Sequence, residues 1–427
     1  MLGSLNDCLG QKSNDIVSGK WKGICLADSF SMAFEIDITK SGNQYAATFS
    51  SPDQRALDIP LRKVTFDSSK IEISFSLVGD ANSWDFKGTL LNNKIDGVIE
   101  KGYQKATFTL KRQPVVPLPY SKKEVMFRND TITLAGTLYL PKTNKKVSAI
   151  IFLHGSGPEP RFGAAYYGDY FARKGIAVLI YDKRGVNKST GNWAKATFTD
   201  LANDAISGIK LLETIPQIDK TKIGMYGHSQ GGSICPLLLT KYPKLAFGIS
   251  AASAGVSMEE SDWYEVQNRF KRYVTGKDYN NSMEVMSKYL QFASRGTGYT
   301  DLIQESKKYD TTRWYQNYIG NIDTTASFFS YYRTIGTYNA VDYWKLVKQP
   351  VLILKGENDL TSPGYPTFAN IEKALKQANN KNYKIVMFPN TTHEMHLVSK
   401  PTDFWFKGTP NYCEIIFAWL KANIIDK

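Results

Sequence analysis

Hydrophobic and polar residues alternate with a period of two over residues 17–112. The apolar positions form two clear runs, Phe34, Ile36 and Ile38, and then Ile71, Ile73, Phe75 and Leu77. Turn-prone pairs such as Gly42-Asn43 and Asn92-Asn93 separate runs of this kind. Because successive side chains of a strand point to opposite faces, the pattern predicts a small antiparallel β domain.

From about residue 120 onward, short apolar runs alternate with segments of helical spacing. The apolar runs are residues 149–153, 177–181, 222–226, 247–251, 351–354 and 383–388. Helical spacing is shown by Phe198, Leu201, Ala205, Ile209 and Leu212, and by Ile415, Ile416, Trp419, Leu420 and Ile424. This alternation predicts a mostly parallel sheet that helices cover on both faces.

An insertion at residues 255–346 interrupts this alternation. It is dense in tyrosine, tryptophan and phenylalanine, and it contains helical stretches at 262–274 and 281–294. Aromatic residues at helical spacing belong to a core more often than to a pocket. We therefore assign a role to the segment and not to its individual residues.

The two patterns divide the chain into domains. The 427 residues are enough for two or three domains with buried cores. A proline-rich linker at 113–119 separates an N-terminal extension (1–16) and the β domain (17–112) from the α/β domain (120–427). Residues 1–11 have neither a basic start nor a long apolar centre, so we expect no complete secretory signal. No apolar run approaches the roughly 20 residues that cross a bilayer, which predicts no transmembrane segment.

A serine stands between two glycines in the segment Gly227-His228-Ser229-Gln230-Gly231. Small residues two places on either side of a serine let a strand turn sharply into a helix, and this turn exposes the hydroxyl. The flanks fit, because residues 222–226 are typical of a buried strand and residues 231–239 of a helix. The spacing therefore predicts Ser229 as a nucleophile.

A candidate acid and a candidate base follow this serine in the order that a strand-to-helix serine requires. Asp359 lies in the loop after the strand at 351–354, and His393 lies in the loop after the strand at 383–388. An imidazole with an unperturbed pKa of about 6.5 can take the serine proton. A carboxylate behind the ring holds the tautomer and stabilises the imidazolium.

Alternatives exist for both roles. The chain has four histidines, His154, His228, His393 and His396. His154 belongs to another motif, and His228 lies inside the serine turn, where the backbone points its side chain elsewhere. His396 is the alternative base, and we prefer His393 because it is nearer the strand end. Glu357 is the alternative acid. Its other interpretation is a charged loop residue that faces the solvent and has no part in catalysis.

The tetrahedral intermediate needs donors for its negative charge, and backbone amides supply them. The Gln230 amide at the predicted helix start is one candidate. The second should come from the loop at 154–158, where we choose the Ser156 amide, with Gly155 as the alternative. The same loop is otherwise a glycine-rich strand exit without a catalytic part. It lacks the Gly-Lys-Ser or Gly-Lys-Thr of a phosphate loop.

The segment from about residue 120 to the end resembles bacterial carboxylesterases of the α/β-hydrolase fold, in the branch of dienelactone hydrolases and prolyl oligopeptidases. The resemblance rests on residues 154–158, 181–185, 188–191, 227–232, 350–359 and the loop of His393. It implies Ser229 as nucleophile, Asp359 as acid and His393 as base. It also implies an oxyanion hole from amides near Ser156 and Gln230.

Four further features are interpreted by comparison with similar proteins. Residues 255–346 would form a cap over the pocket, and residues 390–392 depart from relatives that often have a glycine there. Arg184 could bind an anionic group, but in similar proteins this segment more often braces neighbouring loops. The motif at 18–23, with similar motifs at 86–88 and 95–97, resembles a lipocalin-like barrel. Such a barrel could hold a ligand or be filled by side chains.

Charge and cysteines narrow the function classes. The formal charge is +13, but the lysines are spread along the chain without a dense run, so we expect a solvated basic surface and no nucleic-acid partner. The four cysteines show no C-x-x-C spacing, which disfavours a metal site and leaves disulfides open. Similar fused esterases tend to be exported, so we expect a periplasmic or secreted protein.

Together these observations predict a cofactor-free serine hydrolase that cleaves carboxylic esters of small substrates through an acyl-enzyme. Cleavage of amides or peptides is the first alternative, because the same triad serves both. A non-catalytic ligand-binding module, with the hydrolase fold as a scaffold, is the alternative from another class. The joint presence of a serine, an acid, a histidine and an amide loop disfavours it.

Overall fold

The alternating N-terminal residues form nine antiparallel strands in the computed structural model, which describes residues 15–27, 30–78, 83–400 and 405–427. Strands β1–β9 are Gly19–Ala27, Phe30–Ser41, Gln44–Ser51, Ala56–Pro60, Arg62–Asp67, Glu72–Val78, Ser83–Leu91, Lys94–Lys101 and Gln104–Gln113. They pair in the order β4-β3-β2-β1-β9-β8-β7-β6-β5, and the sheet is barrel-like and nearly closed. The structure divides into two units, the first ending at Pro117 and the second beginning at Leu118.

Aromatic side chains pack in the interior of the first unit. The buried rings are Trp21, Phe34, Phe49, Phe75, Phe86 and Phe108. Phe75 and Phe86 stack with centroids 4.6 Å apart. Ile71 departs from the predicted run, because it lies in the turn before β6 with φ of 56° and is 37% exposed. The interior of this β domain is therefore filled by side chains.

The second unit contains a mixed sheet of eight strands. Strands β10–β17 are Tyr120–Asn129, Ile132–Pro141, Val147–Leu153, Ala177–Tyr181, Ile218–His228, Phe247–Ala251, Val351–Gly356 and Tyr383–Phe388. Their order is β10-β11-β13-β12-β14-β15-β16-β17, and the pairs from β13 to β17 are parallel. Every residue of β12, β13, β15 and β16 is buried. The α/β-hydrolase fold predicted from the sequence is therefore present.

Helices pack against this sheet. They are α1 (Ala165–Arg173), α2 (Phe198–Thr214), α3 (Gln230–Lys241), α10 (Gly364–Gln377) and α11 (Tyr412–Leu420). α2 begins where Thr197 and Asp200 form a capping box, which satisfies amides of its first turn. No helix among the described residues combines the length and the apolar character that a membrane span requires.

The insertion after β15 is a helical cap, as predicted. Its helices are α4 (Met258–Phe270), α5 (Gly276–Arg295), α6 (Tyr299–Ser306), α7 (Arg313–Tyr318), α8 (Ser327–Ile335) and α9 (Ala340–Trp344). α4 begins four residues before the predicted stretch because Ser257 and Glu260 form a capping box. α5 ends at Arg295, and the next residue, Gly296, has a φ of 75° that suits the left-handed conformation after a helix end.

Candidate active site

Ser229 lies in the sharp turn between β14 and α3, as the glycine spacing predicts. Its φ of 53° and ψ of −114° are strained for a residue with a Cβ atom. The Ser229 amide donates a hydrogen bond to the Ala251 carbonyl at 2.9 Å, which ties the turn to the neighbouring strand β15. This hydrogen bond to β15 helps to hold the strained backbone of the turn in place.

The glycines on either side of this serine are required by close backbone contacts. A Cβ atom at Gly227 would lie 2.2 Å from the Gly231 carbonyl oxygen. A Cβ atom at Gly231 would lie 2.6 Å from the Leu153 carbonyl oxygen of β12. Because both obstacles are backbone atoms, no side-chain rearrangement relieves them. The spacing of the motif thus follows from the tight packing of α3 against two strands.

His393 and Asp359 meet Ser229 in space, although the three residues are far apart in the sequence. His393 Nε2 lies 2.8 Å from Ser229 Oγ, and His393 Nδ1 lies 2.9 Å from Asp359 Oδ2. The residues follow strands β14, β16 and β17 at the carboxyl edge of the sheet. Since a carboxylate only accepts hydrogen bonds, Nδ1 carries the proton and Nε2 is free to accept one.

Asp359 is held as a carboxylate by five donors. The amides of Thr361 and Ser362 donate to Oδ1 at 2.9 and 3.0 Å. His393 Nδ1, Lys355 Nζ and the Ser362 hydroxyl donate to Oδ2. Burial opposes ionisation, yet the hydrogen bond from His393 and the charge of Lys355 hold the pKa of Asp359 well below its usual value. The carboxylate can therefore fix the imidazole over a wide pH range.

The other three histidines are engaged elsewhere. The His154 and His228 rings donate to the Tyr181 and His393 carbonyls, and burial lowers their pKa values to about 3 and about 4. The His396 ring stacks on Phe406 with centroids 4.0 Å apart. His393 is the histidine that hydrogen-bonds Ser229.

The loop before His393 tolerates the absence of a glycine. Asn390 adopts φ of 49°, a left-handed conformation that asparagine accepts more readily than most residues. Its amide donates to the Glu357 carboxylate at 3.1 Å. Glu357, the alternative acid, is exposed and holds this loop instead of the imidazole.

The two amides chosen for the oxyanion hole belong to residues that line the same cavity as Ser229. Gln230 is the first residue of α3, where amides lack partners within the helix. The Gly155 amide, the alternative to Ser156, donates to the Glu159 carboxylate at 2.8 Å and is therefore occupied. The Ser156 amide is the next one along the loop.

Two cavities that share lining residues lie at the candidate site. The first, of about 320 Å³, contains Ser229 and His393. The second, of about 360 Å³, lies against the cap and is lined mainly by apolar and aromatic side chains, including Met286, Leu290, Tyr289, Phe328 and Ile335. Ser156, Met258, Asp262 and Glu265 line both cavities. A substrate at Ser229 can therefore extend an apolar group toward the cap.

Carboxyl groups line the cavity that contains Ser229, despite the basic composition of the chain. They are Glu159, Asp262, Glu265 and Glu394. Burial raises the pKa of Asp262 to about 6 and also raises the pKa values of Glu159 and Glu265. The cavity carries negative charge at pH values at which these carboxyl groups are ionised.

Two buried lysines near the site were not predicted. Lys355 was expected in a loop, but β16 continues through Gly356 and buries it to 1% exposure. Lys183 is 2% exposed and donates to the Gly155 carbonyl and to Gln230 Oε1, each at 2.7 Å. The sequence signal that could have indicated the burial of Lys355 was its position four residues before Asp359.

Arg184, by contrast, pairs with buried Asp204 through two bonds of 2.7 Å and braces α2.

Cys25, Cys235 and Cys413 are buried, and no disulfide joins any two of these three residues. Cys8 lies outside the described residues. No group of three or more His, Cys, Asp or Glu side chains in the described part of the chain could hold a metal ion.

Residues 144–398 match the family described as serine aminopeptidase, S33. The chain is 25% identical over 133 residues to the esterase FrsA of Vibrio parahaemolyticus, a match that covers 31% of this chain and 28% of that protein. It is 26% identical over 152 residues to the esterase EstD of Thermotoga maritima, covering 34% and 35%. The matches thus span about a third of these curated relatives.

Among solved structures, an esterase of Pyrococcus furiosus is similar, with a TM-score of 0.48 and 15% identity over 73% of this chain and 97% of that one. A proline iminopeptidase of Mycobacterium smegmatis is similar, with a TM-score of 0.46 and 16% identity over 71% and 99% of the two chains.

Proposed function

Because the chain belongs to the serine aminopeptidase S33 family of hydrolases, we propose that it cleaves carboxylic esters of small substrates with Ser229 as nucleophile. The observation that carries the proposal is the continuous hydrogen-bond chain from Ser229 through His393 to Asp359. The esterase names of the relatives FrsA and EstD support an ester as substrate.

Acylation begins when Ser229 Oγ attacks the ester carbonyl carbon and His393 Nε2 takes the hydroxyl proton. Asp359 stabilises the imidazolium that forms. The carbonyl oxygen becomes an oxyanion, which the amides of Gln230 and Ser156 stabilise as hydrogen-bond donors. When the intermediate collapses, the carbon–oxygen bond breaks and the imidazolium gives its proton to the leaving alcohol.

Deacylation repeats these steps with water. His393 takes a proton from a water molecule, whose oxygen attacks the acyl carbon on Ser229. The second intermediate expels the Ser229 oxygen, which recovers its proton from the imidazolium. The products are the carboxylic acid and the free enzyme.

The cavity that lies against the cap (the cap cavity) favours a substrate with an apolar group. Its lining is mostly apolar and aromatic, and its volume of about 360 Å³ suits a short acyl chain or an aryl group. The shared residues Ser156 and Met258 connect it to the catalytic cavity. We assign the cap as the element that selects the apolar group.

Cleavage of an amide next to a free amine is the second candidate. Two observations favour it, the aminopeptidase in the family description and the carboxyl groups of Glu159, Asp262, Glu265 and Glu394 in the catalytic cavity. Carboxylates at this position could bind an ammonium group of the substrate.

The test compares matched substrates. Purified protein is given p-nitrophenyl esters of acetate, butyrate and octanoate, and in parallel the p-nitroanilides of alanine and proline. We expect turnover of the esters, and loss of that turnover in Ser229→Ala. Ser207→Ala is the matched control, because its hydroxyl bonds to the Asp204 carbonyl within α2.

A fluorophosphonate probe provides an independent readout, since it labels an activated serine. We expect labelling of the parent and of Ser207→Ala, and none of Ser229→Ala. Equal ester turnover by Ser229→Ala and the parent would exclude the proposal. Turnover of the anilides without the esters would select the second candidate.

A further inference from the structure

Lys183 is a buried ammonium that joins the two halves of the candidate oxyanion hole. It follows strand β13, and its side chain is 2% exposed. Lys183 Nζ donates to the Gly155 carbonyl oxygen and to Gln230 Oε1, each at 2.7 Å. Both acceptors are neutral carbonyl oxygens, and the Glu159 carboxylate acts on Lys183 only at longer range.

The first of these bonds bears on the Ser156 amide. The Gly155 carbonyl and the Ser156 N–H belong to the same planar peptide group. A cation on the oxygen of a peptide draws electrons from it, which strengthens its N–H as a donor. The bond also fixes the rotation of this peptide, and therefore the direction of the N–H.

The second bond bears on Gln230. Its side chain is 2% exposed and is held at both ends, because Oε1 accepts from Lys183 and Nε2 donates to the Tyr331 hydroxyl at 2.7 Å. The backbone amide of this residue is the other candidate donor to the oxyanion. Lys183 thus contacts a group covalently joined to each donor.

We propose, on the premise of the serine-hydrolase function above, that Lys183 is a positioning residue of the oxyanion hole. It orients the Ser156 peptide and the Gln230 residue, and its positive charge favours the transition state, where negative charge develops, over the neutral ground state. Arg184, the next residue, has no such role because Asp204 neutralises it.

The test uses Lys183→Met, which keeps the length of the side chain but removes the donor and the charge. We expect kcat for p-nitrophenyl butyrate to fall about 10- to 100-fold, less than the roughly 10²- to 10³-fold for loss of a donor itself. KM should change less than about twofold, because the ground state carries little charge on the carbonyl oxygen. Lys183→Arg keeps the charge and should retain more activity than Lys183→Met.

A boronic acid separates this role from a structural one. An arylboronic acid forms a tetrahedral adduct with the serine and places an oxygen where the oxyanion forms. We expect its inhibition constant to rise in Lys183→Met by the same factor by which kcat/KM falls. Lys188→Met, an exposed lysine of the same loop, is the control and should match the parent.

The pH profile of the parent provides a test that needs no variant. Burial lowers the pKa of Lys183 to about 8, against the opposing effect of the Glu159 charge. The nearby His154 is neutral in this range, since burial lowers its pKa to about 3. Lys183 is charged below about pH 8, so kcat should fall as pH rises above this value. If Lys183→Met fails to fold, Lys183→Arg is the deciding variant, because a guanidinium stays charged to pH 10 and should abolish this fall.

The outcomes separate this inference from the function on which it rests. Unchanged kcat in folded Lys183→Met, unchanged boronate affinity, or a kcat that stays flat to pH 10 would overturn the role of Lys183. If Ser229→Ala is also inactive, the hydrolase proposal stands without it. Full activity of Ser229→Ala would remove both.

Discussion

Lys355 Nζ lies 2.8 Å from Asp359 Oδ2, the same oxygen that accepts the hydrogen bond of His393. Both members of this ion pair are almost fully buried, at 1% and 2% exposure. The lysine also donates to the Ser362 hydroxyl and the Ser253 carbonyl. The candidate acid is therefore part of a buried charge cluster that stabilises its ionised form.

Removing this cation should destabilise the fold. We expect Lys355→Met to lower the free energy of unfolding by about 3–5 kcal/mol at pH 7, because a buried carboxylate loses its charged partner. The folded-state pKa of Asp359 is depressed, so its stabilising contribution is present above the ordinary carboxyl pKa of about 4 and is lost as pH falls below it. The difference between parent and variant should therefore shrink in acid.

Urea unfolding at several pH values between 7 and 3 measures this difference. Lys345→Met is the matched control, since Lys345 pairs with Asp342 at 2.9 Å on the surface, with side chains 44% and 63% exposed. Exposed pairs contribute about 0–1 kcal/mol. A loss in Lys355→Met no larger than in Lys345→Met would contradict the expectation.

The two candidate bases can be separated by parallel substitutions. We expect His393→Ala to lower kcat by about 10⁴-fold or more, because Ser229 then lacks a proton acceptor. His396→Ala should change kcat less than about threefold, since its ring stacks on Phe406 and His393 is the histidine that hydrogen-bonds Ser229. Both are measured by p-nitrophenyl butyrate turnover, with circular dichroism as the check on folding. The opposite ranking would assign the base to His396.

The glycine before the nucleophile should tolerate no side chain. Gly227→Ala places a methyl group 2.2 Å from the Gly231 carbonyl oxygen, so we expect a loss of about 3 kcal/mol of stability and of most activity. A Cβ atom at Gly163 meets nothing within 4 Å, which makes Gly163→Ala the control. Melting temperatures and turnover are compared. Equal behaviour of the two variants would disprove the packing argument for the motif.

The cap cavity should set the preference for acyl length. Each buried methylene contributes about 0.8 kcal/mol, or about a fourfold gain in kcat/KM, until the cavity is filled. Met286 is 5% exposed and lines this cavity. We expect Met286→Trp to remove the gain for octanoate while acetate turnover changes little.

Kinetics on an ester series from acetate to octanoate check this expectation. Leu346→Trp is the control, because Leu346 is 60% exposed outside the cavity. Proportional loss for all esters in Met286→Trp would indicate a general disturbance instead of a narrower pocket.

Most of the fold was predictable because hydrophobic periodicity records burial directly. β13, β15 and β17 span the predicted residues, and the cap lies where the alternation is interrupted. The candidate triad was predicted from order and loop position, since parallel strands bring their carboxyl ends to one edge. The role of each of its members remains a prediction that the experiments above test.

The buried lysines were not predictable for a physical reason. Lysine is almost always exposed, so a lysine in the sequence predicts a position at the surface. The carbonyl and carboxylate partners that allow Lys183 and Lys355 to be buried become visible only in the structure. Those partners, such as Gln230 and Asp359, come from other segments or from a short turn that the pattern does not specify. The cap cavity was not predictable either, since rings such as Tyr289 that line a cavity show the same helical spacing as rings in a core.

The bond from Gln230 Nε2 to the Tyr331 hydroxyl joins the start of α3 to cap helix α8. A lateral shift of α8 by more than about an ångström would break this bond, because hydrogen bonds weaken beyond about 3.2 Å. The position of α8 is therefore coupled to the side chain of the residue that directly follows Ser229. A substitution that displaces this cap helix would act on the first turn of α3 as well as on the cavity that the helix lines.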